Sequence, residues 1–200
     1  MSTCSAYFLN SKFYILSRSP TTPRNITTSV FFKQDALPVR AIAEGCCPPY
    51  DTANEESYFY VGNNPLCPYP ARGFLVTVLY FSPGGLVLTE NCERFDVWGK
   101  RTVDVPRMRD FLNNLPPGRV ILMGMRDNGM AHVTTETRQA VQKLVNNSET
   151  IFQVAPKHSY TAVTYSREAA GCFPPWLTEK FNGNTAPIYL DVIVTKKWNC

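Results

Sequence analysis

Residues 72–145 read RGFLVTVLYFSPGGLVLTENCERFDVWGKRTVDVPRMRDFLNNLPPGRVILMGMRDNGMAHVTTETRQAVQKLV, and the fold turns on how this stretch is parsed. From Gly73 to Phe81 both alternating sets are apolar: Phe74, Val76, Val78 and Tyr80 on one face, Leu75, Thr77, Leu79 and Phe81 on the other. A strand with one wet face alternates apolar with polar residues. One that is apolar on both faces is covered on both sides, hence central in its sheet. Ser82-Pro83-Gly84-Gly85 supplies a tight turn, and Leu86-Val87-Leu88 returns as the hairpin partner.

Working outward, the chain alternates between helical and strand patterns. Asp104 is the expected cap of a first helix, with Pro106 in its first turn. Met108, Phe111, Leu112 and Leu115 then fall at helical spacing on one stripe. Pro116-Pro117-Gly118 ends that helix, and Arg119 to Gly124 reads as a second buried strand. A second helix runs from about Thr135 to Val145, with Ala140, Val141 and Leu144 inward. Its Glu136 and Lys143 match the helix dipole. Ser159–Tyr165 and Ile188–Thr195 alternate as strands, separated by the loop Gly171–Trp176. Upstream, residues 4–45 are read as short strands, with a hairpin turn at Asn10-Ser11-Lys12 between Tyr7–Leu9 and Phe13–Leu16. A loop follows from Ser17 to Arg24, and then the apolar run Val30–Phe32. Residues 44–71 read as a cross-linked loop apart from Tyr58–Val61. With no repeat and no linker, residues 1–200 form one α+β domain: disulfide-tied strands and loops over 1–71, and a core over 72–200.

Composition narrows the function. Hydrophobic residues at 44% and aromatics at 12% mark a folded globule. The net charge of +4 is mild and the Lys and Arg residues are scattered, Lys100-Arg101 and Lys196-Lys197 being the longest runs. That excludes a nucleic-acid footprint, and it gives no signal of its own for an acidic polysaccharide. Seven cysteines are many: Cys4, Cys46, Cys47, Cys67, Cys92, Cys172 and Cys200. None forms a CxxC pair, and His132 and His158 are not spaced as metal ligands beside them, so disulfides are the expectation rather than zinc. Disulfides imply an oxidising, extracellular setting. The sequons at Asn25 and Asn146 agree with it. An odd count leaves at least one thiol that is free or joins a second copy. No apolar run reaches the roughly 18 residues of a spanning helix. The first twenty residues lack a leader's apolar core, so a secreted protein would have Met1 where a leader was removed.

No nucleophile elbow, phosphate loop, dinucleotide glycine pattern or metalloprotease motif occurs, and no cofactor is implied. A Cys–His nucleophile would need a disulfide-type cysteine to stay reduced beside His132 or His158. The expectation is a binding protein, not an enzyme. Its candidate site is the loop Gly124–His132, which follows a buried strand and precedes a helix. There Arg126, Asp127, Asn128 and His132 offer donors and acceptors for sugar hydroxyls. Against that stands a plain turn at Asp127-Asn128-Gly129. Trp98 is the second candidate, as a stacking platform, although a tryptophan is most often core and core is the first expectation. Lys157 and His158 read as an exposed loop.

Taken in order, Arg72-Gly73, Phe95-Asp96-Val97-Trp98-Gly99, Asp110-Phe111-Leu112 and Gly118-Arg119-Val120-Ile121-Leu122-Met123-Gly124 with Asp127 and Gly129 carry a family pattern. Residues 72–165, with a terminal strand near 190, closely resemble the interleukin-like epithelial–mesenchymal transition inducer (ILEI) and pancreatic-derived factor (PANDER) family. The resemblance implies a β-β-α globule of two antiparallel sheets with short flanking helices, secretion and no enzymatic activity. It also implies either a lectin-like module that binds glycans or a cytokine-like ligand of a cell-surface glycoprotein. For a lectin-like member it points to Arg126, Asp127 and Asn128 in the loop after the second buried strand. Lys157 or His158 then stands where the family commonly has an Arg-Asp pair, and that pair is absent here.

Overall fold

The strand that is apolar on both faces lies between two cores. In the computed structural model, which describes residues 13–15, 28–31, 36–45, 58–67, 72–81, 86–166, 174, 176–184 and 186–195, two antiparallel sheets form. Numbered in chain order, the larger runs β1 (Phe13–Ile15), β2 (Thr28–Phe31), β7 (Leu86–Phe95), β6 (Gly73–Phe81), β8 (Arg119–Arg126), β9 (Ser159–Ser166) and β10 (Thr178–Asn182). The smaller runs β11 (Ile188–Thr195), β3 (Ala36–Ala43), β4 (Phe59–Val61) and β5 (Asn64–Leu66). Three helices complete it: α1 (Arg101–Asn113), α2 (Thr135–Leu144) and α3 (Thr150–Gln153).

Side-chain alternation in β6 and β8 explains the layering. Leu75 and Leu79 of β6, with Val120 and Leu122 of β8, pack against Leu37, Val39, Phe59, Val61 and Val194 of the smaller sheet. Phe74, Val76, Val78, Ile121 and Met123 point the other way, onto Val105, Met108 and Leu112 of α1 and Ala140, Val141 and Leu144 of α2. The result is three layers, sheet on sheet on helices. Where β3 crosses the end of β8, the backbones nearly touch. A Cβ on Gly124 would stand 2.4 Å from the Ile42 carbonyl oxygen, so a residue without a side chain is required. The Glu44 N–H donates to the Met125 carbonyl at the same crossing, 2.8 Å.

Among the described residues one disulfide ties the layers. Cys67, just past β5, bonds to Cys92 of β7 across 25 residues. It joins the edge of the smaller sheet to the larger one, on the face where Thr77 meets the Cys67 sulfur at 2.9 Å. Cys4, Cys46, Cys47, Cys172 and Cys200 lie outside the described residues, as do Asn25, the Asn10–Lys12 turn and the Ser17–Arg24 loop.

Phe13–Ile15 pairs with Thr28–Phe31. Several expectations need correction. The strand Ala36–Ala43, which forms the middle of the smaller sheet, was not singled out among the short strands of residues 4–45. The loop expected over 44–71 contains the β4–β5 hairpin. Asp104 does not cap α1. The helix starts three residues earlier at Arg101, because the Lys100 N–H closes a turn on the Asp96 carbonyl at 2.8 Å. Pro106 therefore falls in the second turn. The second helix matches its expected span, with Thr134 as N-cap accepting the Thr137 N–H.

Closing a 25-residue loop constrains the unfolded chain by about 3.5 kcal/mol on the chain-entropy estimate. The Cys67→Ser/Cys92→Ser double variant should lose about 3 kcal/mol in urea unfolding. A midpoint unchanged from the parent's would remove the cross-link from the account of stability.

Candidate functional site

One end of the larger sheet gathers most of the residues singled out from sequence. The start of β6 and the ends of β7 and β8 meet there, since Gly73 pairs with Arg126 and Phe74 with both Met125 and Phe95. Gly73 has φ +128°, and a Cβ on it would lie 2.2 Å from the Phe95 carbonyl oxygen. Only glycine lets β6 enter this close to β7.

Asp96 organises this end. Its carboxylate accepts two bonds from Arg72, at 3.2 and 2.9 Å, and the Gly99 N–H at 2.8 Å. Its own N–H donates to the Asp104 carboxylate at 2.8 Å, which is why Asp104 is buried inside α1 rather than at its cap. Arg107 in turn bonds Asp104 at 3.0 Å and Glu93 at 2.7 Å, with its guanidinium over the Phe95 ring. The Arg72 fork, then the Gly99 N–H, hold the Asp96 carboxyl below the usual carboxylate range. Arg72 is raised by Asp96 first, with Asp127 adding to it. A charge-assisted, bidentate pair of this kind fixes geometry more than it adds stability at an exposed site.

This clamp sets the turn 96–100, and the turn sets Trp98. Val97 is buried as its anchor, while Trp98 is 50% exposed. The core placement expected for Trp98 is therefore corrected: the tight turn leaves room inward for the small Val97 alone. The Trp98 ring stacks on His132, centroids 5.3 Å apart and planes 29° from parallel. His132 itself is held in the left-handed region (φ +61°) between buried Ala131 and Val133. Strained backbone that surrounding packing over-determines is a feature of ligand clamps.

The loop leading to His132 is tightly closed. Asp127 is also left-handed (φ +59°), the Gly129 N–H donates to the Asp127 carbonyl at 2.9 Å, and the Asn128 amide donates to the Asp127 carboxylate at 3.0 Å. Arg126 is differently employed. It bonds the buried Glu44 at 3.1 Å, beside the Tyr58 hydroxyl that donates to the same oxygen, and lies 5.7 Å above the Tyr58 ring. His158 accepts the Ala155 N–H at 3.1 Å and packs on Phe181, while Lys157 is exposed at φ +72°. The structure thus brings Trp98 and His132 into contact. It puts Asp127 and Asn128 at the base of the same loop, and leaves Arg126, Lys157 and His158 with other neighbours.

Beside the stacked pair, a groove of about 270 Å³ runs between α1 and the start of α2. Arg101, Arg109, His132, Thr134 and Glu136 are among its walls. Sequence reading missed Arg101, Arg109 and Thr134. Arg101, Val105 and Arg109 form an i, i+4, i+8 stripe that is visible only once α1 is known to begin at Arg101. A flat aromatic face, guanidinium donors, threonine hydroxyls and one carboxylate together suit a ring-shaped, oxygen-rich ligand.

The family model for the interleukin-like EMT inducer matches residues 72–167. The chain carries an interleukin-like EMT inducer domain. No curated protein matches the chain. The matched span covers β6 through β9 with all three helices, and so includes Arg72, Asp96, Trp98, the 124–132 loop and the groove. The disulfide partner Cys67, the smaller sheet and β10 lie outside the ILEI span. Among the described residues no helix is long and apolar enough to cross a membrane, and no three His, Cys, Asp or Glu side chains converge as a metal site.

Two outcomes follow. Arg126→Ala would leave the buried Glu44 carboxylate without its guanidinium partner, though still bonded by the Tyr58 hydroxyl, and should cost about 2 kcal/mol, as for a lost hydrogen bond to a charged group; denaturant unfolding at the parent's midpoint would mean that Arg126 has no structural role. For Asp96, the folded pKa is depressed, so its contribution to stability is complete above the unfolded value of about 3.9. That contribution is lost as pH falls through the lower folded value. In Arg72→Gln the Asp96 carboxyl should titrate closer to the ordinary range in a carbon-detected NMR titration, and the acid loss should begin at higher pH. Superimposable titration curves would contradict the pairing.

Proposed function

We propose that this chain is a secreted, non-enzymatic ILEI-domain protein that binds carbohydrate at the Trp98–His132 end of the larger sheet. The observation that carries the reading is the half-exposed Trp98 ring, held against His132 on a turn locked by Asp96. An exposed aromatic this firmly held costs no ordering when a sugar ring stacks on it, and preorganisation of that kind raises affinity. Asp127 and Asn128 supply hydroxyl-binding groups from the same loop. The Cys67–Cys92 bond supports an oxidising, extracellular location, and the sequons at Asn25 and Asn146 fit a glycoprotein. Asn146 is exposed in the turn after α2. The odd cysteine count leaves at least one thiol able to join a second copy.

A second reading rests on the domain match itself: a cytokine-like ligand that recognises a cell-surface protein. The two separate cleanly. Trp98 contributes little to the core, so Trp98→Ala should leave the unfolding midpoint within about 0.5 kcal/mol of the parent, as surface substitutions do. On a broad glycan array the parent should bind a defined group of sugars and the variant none. A blank array for the parent, with cell binding that survives enzymatic removal of glycans, would favour the protein-receptor reading.

A further inference from the structure

The groove beside the stacked rings carries a charge pattern that the sequence did not signal. The Arg101 side chain makes no hydrogen bond or ion pair among the described residues, and neither does the side chain of the adjacent Lys100. Among the described residues Arg109 pairs only with Asp110, its neighbour in sequence, at 2.7 Å, and both side chains are exposed. A solvent-screened pair of that kind is weak and exchangeable. The single acid in the groove wall, Glu136, is occupied at the start of α2. Its carboxylate accepts its own backbone N–H and the Thr134 hydroxyl, which hold it below the usual range, and Arg109 adds to this. The groove therefore presents two guanidinium groups with spare donors against one ionised carboxylate, a net positive charge. At about 270 Å³ it lies just below the small end of ligand pockets, roughly 300 Å³. That is room for one sugar residue or its substituent, opening beside a platform for the next ring.

We propose that the ligand is an acidic saccharide, one whose sulfate or carboxylate enters the α1–α2 groove while an adjoining ring stacks on Trp98. Arg101 and Arg109 would each give charge-assisted hydrogen bonds to the anion, a match of planar fork to planar or tetrahedral oxyanion that lysine does not reproduce. Thr134 would remain the cap of α2, and His132 the joint between groove and platform. This inference rests on the carbohydrate reading above and sharpens it to a class of sugar.

The test uses the full chain with a matched pair of probes: a heparin-derived tetrasaccharide, and the same tetrasaccharide after desulfation and carboxyl reduction. Titration calorimetry should detect the acidic probe and not the neutral one. Binding should weaken about tenfold, about 1.4 kcal/mol, in Arg101→Gln, and more in Arg101→Gln/Arg109→Gln. It should be lost in Trp98→Ala, and it should fall with rising salt. Thermal unfolding of each variant at the parent temperature, with the His132 imidazole signals unchanged, separates lost binding from lost folding. Equal binding of both probes, or of the neutral probe alone, overturns the acidic-sugar inference and leaves the carbohydrate reading intact. Acidic-probe binding that ignores Arg101, Arg109 and Trp98 overturns the assignment of the groove. No binding of either probe, together with a blank glycan array, overturns both.

Discussion

The carboxylate of Asp96 is the interaction on which the functional end of this molecule depends. Through Arg72 it holds the entry of β6, through the Gly99 N–H it closes the turn after β7, and the Asp96 N–H fixes the first turn of α1 through Asp104. Three elements from different parts of the chain are therefore set relative to one another within a few ångströms. In isolation an exposed ion pair contributes little. Here its value lies in position: the constraint presents Trp98 outward and turns the Arg101–Arg109 stripe of α1 toward His132. The fold beneath supplies rigidity, because β6 and β8 are gripped on both faces, by the smaller sheet on one side and the helices on the other.

Much of this was legible in the sequence, for identifiable reasons. A strand apolar on both faces has one stable environment, so Gly73–Phe81 announced a central strand and a covered sheet. The two helices followed from spacing, and the ordered motifs from Arg72 to Gly129 resembled the ILEI family, whose model matches residues 72–167. What escaped was set by contacts distant in sequence. Ala36–Ala43 carries Pro38 and Arg40 on its outer face, and that interrupted pattern hid the middle strand of the smaller sheet. The start of α1 moved from Asp104 to Arg101 because Asp104 is drawn to the Asp96 N–H. No local capping rule registers such a pull.

The candidate site shows the same division. Loop position and residue chemistry pointed to the 124–132 segment and to Trp98. Sequence could not say that Arg126 would turn inward to Glu44, 82 residues away, or that Val97 would take the core position expected for Trp98. Nor could it assemble the groove, whose walls come from two helices. The site that emerges is less the loop itself than the junction of loop, turn and helix. There a stacked aromatic pair meets guanidinium groups with donors to spare.

The most direct test of that picture is a residue-resolved NMR titration of the full chain with the acidic tetrasaccharide. The Trp98 indole N–H, the His132 ring and the Arg101 guanidinium should shift together and saturate at one dissociation constant, while the outer face of the smaller sheet, where Arg40 pairs with Asp191 at 2.6 Å, stays still. Shifts centred on that opposite face, or a titration that moves neither Trp98 nor His132, would contradict the account.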